Sequence, residues 1–305
     1  MTSLVRALAG PEGGGRWADG CRSVFLDIGS NRAVSIRKLF EEQLYPASEF
    51  DWDSLALAHK NGQPPSDHMP ITRLFQETFG SFETRRRLGF NGLCAFAFEP
   101  NVRHTARLKE IEACYRAQGW RVTIFTETAV SDVDGSALMD PGLVGANEEW
   151  AANIVNHRNP KFFNTRPENF TEVATVDLTA WLHRHVASRY IPAEPSEMPA
   201  AVYAKMDVER AEYLVLPRML MRGALCADVL KTLSIEWHPP LPAIYQLFRR
   251  DLASILRLDP RHCNATRILD RQDDSYLHDT HLRSRSVCKG RQLPDEHPVA
   301  PKDLH

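Results

Sequence analysis

The fold that we expect for this chain is decided by the stretch VFLDIGSN, residues Val24–Asn31. An apolar run there ends in an acid, small residues follow, and apolar positions then recur with helical spacing over residues 35–43. Such a pattern predicts a buried parallel strand that turns tightly into a helix. Many α/β proteins hold nucleotide-like ligands at a turn of this kind.

A second stretch, CAFAFEP at Cys94–Pro100, repeats the pattern of an apolar run that ends in an acid. The carboxyl ends of parallel strands meet at one edge of a sheet, where ligands bind in such proteins. Asp27 and Glu99 are therefore expected at the same edge, together with Asp207 and Glu236 from later strands. Carboxylates at two adjacent strand ends would form a pocket for the hydroxyls of a ribose.

Strand and helix patterns alternate along most of the chain. Strands are predicted at residues 23–28, 93–98, 121–125, 173–178, 202–209, 232–238 and 265–269, with residues 128–131 continuing the third one. This alternation predicts an α/β fold with a doubly wound, mostly parallel sheet and helices on both faces.

The 305 residues are expected to form a single domain over residues 21–280. We expect residues 1–20, which are rich in glycine, to form a flexible leader, and the polar residues 281–305 to form a disordered tail. A long polar insertion at about residues 45–90 contains a predicted helix at 69–79. We interpret this insertion as a helical lid, because it is too long for an idle loop.

Composition argues against several classes of partner. The formal net charge is −2 and charged residues make up 25% of the chain, so no nucleic-acid partner is expected. The short run Arg85–Arg87 is interpreted as a solvated helix face. No stretch approaches the roughly 20 apolar residues of a membrane span. The oligomeric state is not indicated.

The chain contains six cysteines: Cys21, Cys94, Cys114, Cys226, Cys263 and Cys288. They form no CxxC pair, which argues against a structural zinc site. Cys94 lies in an apolar run and is interpreted as a small core residue. An even number also fits disulfides in a secreted protein, although a chain of this length does not need them.

The compartment is left open by the sequence. Residues Met1–Ala9 have only a short apolar portion and precede a glycine-rich segment, so we expect no signal peptide. Two glycosylation sequons, Asn169–Thr171 and Asn264–Thr266, slightly favour a secretory lumen. A cytoplasmic location is the preferred interpretation.

Four segments occur in an order that resembles the FkbM-type methyltransferases, a branch of the class I enzymes that use S-adenosylmethionine. They are Asp27–Asn31, Phe98–Asn101, Ala129–Asp132 and Lys205–Tyr213. The resemblance covers about residues 23–240 and implies a Rossmann-like methyltransferase fold. It also implies S-adenosylmethionine as the cofactor and O-methylation of a hydroxyl on a sugar or a small natural product.

The resemblance assigns cofactor binding to Asp27, Gly29, Asn31, Glu99, Asn101, Ser131 and Asp132. The first three would shape a loop against the methionine part, Glu99 would hold both ribose hydroxyls, and Asn101 would touch the adenosine. Ser131 and Asp132 would contact the adenine side. Two plainer alternatives remain, since Asp27 can serve hydrogen bonds of its own turn and Glu99 can act as a helix N-terminal charge.

Catalysis is assigned to Asp207, Glu209 and His238, which follow the fourth and fifth core strands. Alignment of the acceptor oxygen supplies most of the rate, and one of these groups would take the hydroxyl proton. The same residues with Glu236 would also form an oxygen-rich metal set, but we expect no metal. Glu212 is interpreted as an ordinary acid in the first turn of the following helix.

Two residues depart from the family pattern, which has glycine at both positions: Ala33 and Arg210. Ala33 is harmless where φ is negative and costs more than ~1 kcal/mol where φ is positive. Arg210 either blocks the pocket or binds an anionic acceptor. Both departures favour a second hypothesis, a non-catalytic binding protein that keeps the methyltransferase fold.

A third hypothesis is an oxidoreductase that uses a nicotinamide cofactor on a similar sheet. Such enzymes have the pattern G-x-G-x-x-G after the first strand. This chain has Gly29, but it lacks glycine at positions 31 and 34. Asp51 and Asp53 lie at about the right distance for the ribose acid, yet no strand precedes them.

Overall fold

The computed structural model describes residues 3–11, 14–45, 70–140, 153–154, 170–193, 197–238, 243–258, 263–271 and 286–288. Its strands, in chain order, are β1 (Ser23–Ile28), β2 (Leu93–Glu99), β3 (Arg121–Thr126), β4 (Thr128–Ser131), β5 (Gly135–Asp140), β6 (Asn153–Ile154), β7 (Thr171–Asp177), β8 (Val202–Met206), β9 (Thr232–Ile235) and β10 (Arg267–Asp270). Its helices are α1 (Ser3–Ala9), α2 (Val34–Phe40), α3 (Ile71–Phe79), α4 (Phe82–Arg87), α5 (Thr105–Ala117), α6 (Leu178–Trp181), α7 (Glu212–Met221) and α8 (Ala243–Leu258). Short 3₁₀ turns lie at Glu42–Leu44 and Val102–His104, and α6 continues as a π-helix over Leu182–Ala187.

The main sheet confirms the predicted fold class. Within the described residues it has six strands in the order β10-β9-β8-β1-β2-β3. Every neighbouring pair is parallel. Parallel sheets of this kind are covered by helices on both faces, which explains why the strands read as continuous apolar runs.

A second sheet was not predicted. Its order is β4-β7-β5-β6, and it takes up the extended residues after β3 and the predicted strand at 173–178. The chain leaves the main sheet at Glu127, whose φ of +55° ends β3 and starts β4 in a new direction. Residues 128–131 are therefore not a continuation of the third strand.

Side chains of the main sheet alternate between two cores. Leu26 points into a core built with α6, α7 and α8, whereas Phe25 points into a core built with α2, α3 and α5. The Phe75 ring of α3 lies 4.9 Å from that of Phe25, in an edge-to-face contact. The described part of the insertion, residues 70–90, thus packs its apolar side chains against the sheet as a layer of the domain and is not a lid. Residues 46–69 lie outside the described part of the chain.

The expectation of a loose leader over residues 1–20 is wrong where the structure describes them. Ala7 of α1 and Ala18 are fully buried. The Arg6 guanidinium lies 2.7 Å from the carboxylate of Glu112, and the Trp17 ring packs 5.3 Å from that of Phe125. The leader therefore covers one face of the sheet.

All six cysteines are paired. Cys94 is a fully buried core residue, as interpreted from the sequence, and it is also cross-linked. The disulfides are Cys21–Cys94, Cys114–Cys288 and Cys226–Cys263, with separations of 73, 174 and 37 residues. Cross-links over such long loops typically stabilise a fold by about 2–4 kcal/mol each.

The described part of the C-terminal tail is also packed onto the domain. Ser286 and the backbone N–H of Val287 both hydrogen-bond the buried carboxylate of Glu41, at 3.0 and 2.8 Å. The expectation of a disordered tail therefore fails at Ser286–Cys288. None of the helices in the described ranges is both long and apolar enough to cross a lipid bilayer.

Candidate functional site

An open cavity of about 620 Å³, counting the part that faces solvent, lies at the carboxyl edge of the main sheet. β1 and β8 are neighbours there, but the chain runs from β1 to β2 and β3 on one side and from β8 to β9 and β10 on the other. The cavity thus lies at the switch point where open α/β sheets bind ligands. Among the described residues its lining is Gly29, Asn31, Phe98, Glu99, Pro100, Asn101, His104, Ala129, Val130, Ile154, Asp207, Val208, Glu209 and Ala211.

Gly29 is needed because two chain segments meet behind it. Its φ is +76°, and a Cβ built on it would lie 1.6 Å from the carbonyl oxygen of Asp207. The backbone N–H of Asp207 donates to the carbonyl of Ile28 at 2.9 Å. Gly29 therefore lets the ends of β1 and β8 close against each other at the cavity wall.

Lys205, to which the sequence gave no role, links the ends of β1 and β8 at the same edge of the sheet. Its side chain is buried, and Nζ donates to the Gly29 carbonyl at 2.8 Å. Nζ also lies 3.7 Å from Oδ1 of Asp27 and 3.5 Å from Oδ2 of Asp207. The signal for it was a cation inside an apolar strand, because a buried ammonium requires partners.

Glu99 is the acid at the end of β2 and lines the cavity, as predicted. Its side chain is 6% exposed. Oε2 accepts the backbone N–H of Asn31 at 2.5 Å, and Oε1 accepts that of Asn101 at 2.8 Å. Burial raises the pKa of Glu99 to about 8, although the two backbone hydrogen bonds act in the opposite direction. Glu99 thus fixes both neighbouring turns while it faces the cavity.

Two amide residues of the cavity lining each have one buried polar atom without a hydrogen-bond partner. Oδ1 of Asn31 and Nδ2 of Asn101 are buried and have no hydrogen-bond partner among the described residues. Oδ1 of Asn101 accepts the backbone N–H of Arg103 at 3.1 Å, which directs its Nδ2 elsewhere. An unsatisfied buried polar atom costs about 1–3 kcal/mol. A polar ligand that paired with both atoms would recover that free energy.

Asp27 is fully buried and does not belong to the cavity lining. Its Oδ2 accepts the hydroxyl of Ser30 at 2.9 Å, and Lys205 lies on its other oxygen. The plainer of the two interpretations of Asp27, a carboxylate that serves its own turn, is the one that fits this geometry. Its contribution to the site is to hold the turn that carries Gly29 and Asn31.

Ser131 and Asp132 also lie outside the lining. The Ser131 hydroxyl donates to Oδ1 of Asp132 at 3.2 Å, so the two residues serve each other at the end of β4. The wall is formed by Ala129 and Val130 instead. The predicted contact is displaced by two residues, because β4 turns away from the main sheet.

Asp207, Glu209, Glu212, Glu236 and His238 form what we call the carboxylate–histidine cluster. Nε2 of His238 lies 3.4 Å from Oδ1 of Asp207, 3.6 Å from Oε2 of Glu209 and 3.9 Å from Oε1 of Glu236. Nδ1 lies 3.4 Å from Oε1 of Glu212. Asp207 and Glu209 line the cavity, while His238 stands behind them.

Charge in this cluster decides the state of His238. Burial lowers the pKa of His238, but the surrounding carboxylates of Glu212, Glu209 and Asp207 outweigh it and raise the pKa to about 10. A protonated imidazole has no lone pair to accept a proton, so His238 is not a general base at neutral pH in this arrangement. Burial raises the pKa of Glu209, although the charge of His238 opposes the shift.

Glu212 has a different place from the one that its sequence suggested. It begins α7, but its side chain is fully buried and is not a solvated helix acid. Oε1 accepts the backbone N–H of His238 at 2.9 Å. Oε2 has no hydrogen-bond partner among the described residues. Glu212 therefore holds the backbone of His238, and its carboxylate lies beside the imidazole.

His104 is a further wall residue that the sequence did not single out. Burial lowers the pKa of His104 to about 3, and the positive charges of Arg32, Arg107 and Arg103 act in the same direction. The imidazole is therefore neutral at physiological pH. Its position in the 3₁₀ turn before α5 gave no pattern from which this role could be predicted.

The predicted site residues thus divide into two groups. The structure brings Gly29, Asn31, Glu99, Asn101, Asp207 and Glu209 together at one cavity. It leaves Asp27, Ser131, Asp132 and His238 outside the lining. Comparison of the chain with protein-family models, with curated proteins and with solved structures gives no match.

Proposed function

We propose that this protein is an S-adenosylmethionine-dependent methyltransferase of the FkbM type that O-methylates a hydroxyl of a sugar or a small natural product. The observation that carries the proposal is the cavity at the switch point, where Glu99 ends β2 beside the Gly29 turn. A carboxylate in that place is suited to accept hydrogen bonds from both hydroxyls of a ribose.

The two departures from the family pattern support the resemblance in an unexpected way. Ala33 and Arg210 occupy positions where the family has glycine, and their φ values are +58° and +82°. Only glycine adopts such φ values without strain. The backbone at both positions thus has the conformation for which glycine is suited, while this chain carries a side chain there.

The residues at the cavity fit the proposed cofactor. Glu99 would hold the ribose, the unmatched Nδ2 of Asn101 would donate to the adenosine, and the Asn31 turn would face the methionine part. When bound, the cofactor supplies a sulfonium methyl group that is already activated for transfer. Asp207 and Glu209 line the same cavity and would orient the acceptor hydroxyl and receive its proton.

The disulfides support a location different from the one that the sequence favoured. We propose an oxidising compartment, because disulfides are rare where glutathione and thioredoxin keep thiols reduced. Asn264, the first residue of one sequon, is exposed at the end of a cross-linked loop. The second sequon residue, Asn169, lies outside the described part of the chain.

The test is a binding titration of the full chain with S-adenosylmethionine, S-adenosylhomocysteine and NAD⁺, followed by calorimetry and thermal melting. We expect both adenosyl compounds to bind and to raise the melting temperature, since a ligand at a hundredfold excess over its Kd adds about 2.7 kcal/mol. NAD⁺ should leave the melting temperature unchanged. If neither S-adenosylmethionine nor S-adenosylhomocysteine binds, the proposal is contradicted.

Turnover is measured next, with labelled S-adenosylmethionine and a panel of sugar and small hydroxylated acceptors. Transfer of the label to oxygen supports the methyltransferase proposal. Cofactor binding in an oxidised, folded protein without transfer to any acceptor favours the non-catalytic binding protein, for which the strained Ala33 and Arg210 are the structural argument.

A further inference from the structure

We propose that the carboxylate–histidine cluster binds one divalent transition-metal ion through Asp207, Glu209 and His238. One ligand atom of each residue lies within 4.8 Å of the others. These residues come from two separate segments, the ends of β8 and β9, which the sheet places side by side. The set consists of two carboxylate oxygens and one imidazole nitrogen.

The orientation of His238 is the one that metal-binding histidines have. Its Nε2 faces the two carboxylates that would share the ion, at 3.4 Å for Asp207 and 3.6 Å for Glu209. Its other nitrogen, Nδ1, is buried without a hydrogen-bond partner among the described residues, and Oε1 of Glu212 lies 3.4 Å from it. A carboxylate behind a ligating histidine fixes the ring and makes its free nitrogen a better ligand.

Glu212 provides a second, independent observation. Its side chain is completely buried, and its Oε2 has no hydrogen-bond partner in the described part of the chain. A buried carboxylate with one unmatched oxygen requires positive charge nearby. His238 is the group that it contacts, so a cation on the far side of that ring would add positive charge where Glu212 needs it.

The balance of charge in the cluster favours a cation more strongly than a single proton. Four carboxylates face the one imidazole, at distances of 3.4–3.9 Å. Lys205 lies beside Asp207 but is also shared with Asp27, and the charge of Arg210 acts on Glu209. Glu212 is fully buried and the other three side chains are 22–30% exposed, and carboxylates gathered in this way are stable where they are paired or coordinate a metal.

The donor set indicates the class of metal. Carboxylate oxygens suit Mg²⁺, Ca²⁺ and Mn²⁺, whereas imidazole suits Zn²⁺, Fe²⁺ and Cu²⁺. A mixed set of two oxygens and one nitrogen is best matched by Mn²⁺, Fe²⁺ or Zn²⁺. Three protein ligands also leave coordination positions open, as in catalytic sites.

The place of the ion connects it to the cavity. Asp207 and Glu209 belong to the cavity lining, so an ion between them would face the space beside Glu99. Its open positions would bind a hydroxyl oxygen of the acceptor, a consequence that rests on the proposed function. Metal binding itself does not depend on that function.

The experiment uses the full oxidised chain, freed of metal with EDTA and dialysed. Titration with Mn²⁺ alone is followed by calorimetry and by electron paramagnetic resonance. We expect one Mn²⁺ per chain, displaced by Zn²⁺ and bound much more tightly than Mg²⁺. Nitrogen modulation in the spin-echo spectrum of the bound Mn²⁺ should be present and should be lost in His238→Gln. No saturable binding of Mn²⁺ or Zn²⁺ overturns the proposal.

Variants assign the site. Glu209→Gln and Asp207→Asn should each weaken Mn²⁺ binding by more than tenfold. Glu83→Gln is the matched control, because it changes an exposed acid on α4 and should leave Mn²⁺ affinity unchanged. Glu209 is the more exposed of the two ligands and decides the matter if Asp207→Asn does not fold. Unchanged affinity in folded Glu209→Gln overturns the assignment.

Metal binding and the proposed function fail independently. A chain that binds S-adenosylmethionine but no Mn²⁺ keeps the proposed function and overturns the metal site. A chain that binds Mn²⁺ at Glu209 but no adenosyl compound keeps the metal site and contradicts the methyltransferase.

Discussion

The two sides of the cavity hold carboxylates at the same sheet edge but stabilise them in different ways. On the Glu99 side, one carboxyl is matched by the backbone N–H groups of Asn31 and Asn101. On the Asp207 side, four carboxylates surround the single imidazole of His238. Backbone donors do not change with pH or with ligand, whereas an imidazole exchanges its proton for another cation.

This difference suggests a division of work between the two sides. The Glu99 side has fixed polar groups with the unmatched atoms of Asn31 and Asn101, which suits recognition of one defined ligand. The Asp207 side has ionisable groups in excess, which suits a proton transfer or a metal ion. Gly29 and Asp207 join the two sides where their backbones touch.

The largest effect is expected from breaking that junction with Gly29→Ala. The new Cβ would lie 1.6 Å from the Asp207 carbonyl oxygen at a φ of +76°, so β1 and β8 must separate at the cavity. We expect a loss of about 3 kcal/mol or more in the free energy of unfolding, by the combined cost of overpacking and backbone strain. Urea unfolding followed by circular dichroism measures it.

Gly119→Ala is the matched control for that variant. Gly119 has a φ of +81°, but nothing lies within 4 Å of the Cβ that would be added. It should therefore lose only the strain of a left-handed alanine, about 1 kcal/mol. Equal losses in the two variants would show that the junction between the two sides of the cavity is not tight.

The second effect sharpens the role of the Glu99 side. Glu99→Ala should weaken binding of S-adenosylmethionine by more than tenfold, because charge-assisted hydrogen bonds to the ribose contribute about 1.5–3 kcal/mol. Isothermal calorimetry measures the affinity. Glu83→Ala removes an exposed carboxylate of α4 and should bind as the unmodified chain does. An unchanged affinity in folded Glu99→Ala removes Glu99 from the site.

Much of this fold was predictable, because buried parallel strands have continuous apolar runs and few other structures give the same sequence pattern. The acids at the ends of β1, β2 and β8 were predictable for the same reason, since the end of a run marks the edge of the sheet. The second sheet was missed because its entry depends on Glu127 at φ +55°, a conformation for which glutamate has no preference. Because of this error the prediction named Ser131 and Asp132, whereas Ala129 and Val130 line the cavity.

The disulfides and the state of His238 could not be predicted from local pattern. Cys21 and Cys94 are 73 residues apart in the chain and meet only because β1 and β2 pair in register. The charge of His238 depends on Glu212, whose place at the start of a helix suggested a solvated acid. Both facts depend on tertiary contacts between distant segments.

A smaller effect is expected from pH, which should change cofactor affinity through the ionisation of Glu99. Burial raises the pKa of Glu99 to about 8 in the free protein. Ribose hydroxyls donate hydrogen bonds to the carboxylate form of Glu99. Below pH 8 the carboxyl must therefore lose its proton when the cofactor binds, which lowers the affinity. Affinity for S-adenosylmethionine should therefore be about fivefold lower at pH 7 than at pH 8, from the fraction ionised.

The same shift has a consequence of known sign for stability. The folded chain holds the Glu99 proton up to about pH 8, whereas an unfolded chain releases it near 4.5. The free energy of unfolding should therefore fall as pH rises through that window. Glu99→Gln replaces the titratable carboxyl with an amide that does not ionise, so cofactor binding and this component of stability should become independent of pH. A wild-type affinity that is constant from pH 7 to pH 8 contradicts the raised pKa.

The smallest effect concerns Ala33, which lies beside the Glu99 side and departs from the pattern of the proposed family. Ala33 has a φ of +58°. Of the two alternatives that the sequence left open, a negative or a positive φ, this is the one at which alanine is strained. Ala33→Gly should raise the free energy of unfolding by about 1 kcal/mol, because glycine adopts this φ without strain. Ala113→Gly, at an exposed position inside α5, is the control and should lower stability by about 1 kcal/mol instead. Opposite signs in urea unfolding would locate the strain in the turn that carries Asn31, whereas two losses would mean that the turn holds alanine without cost.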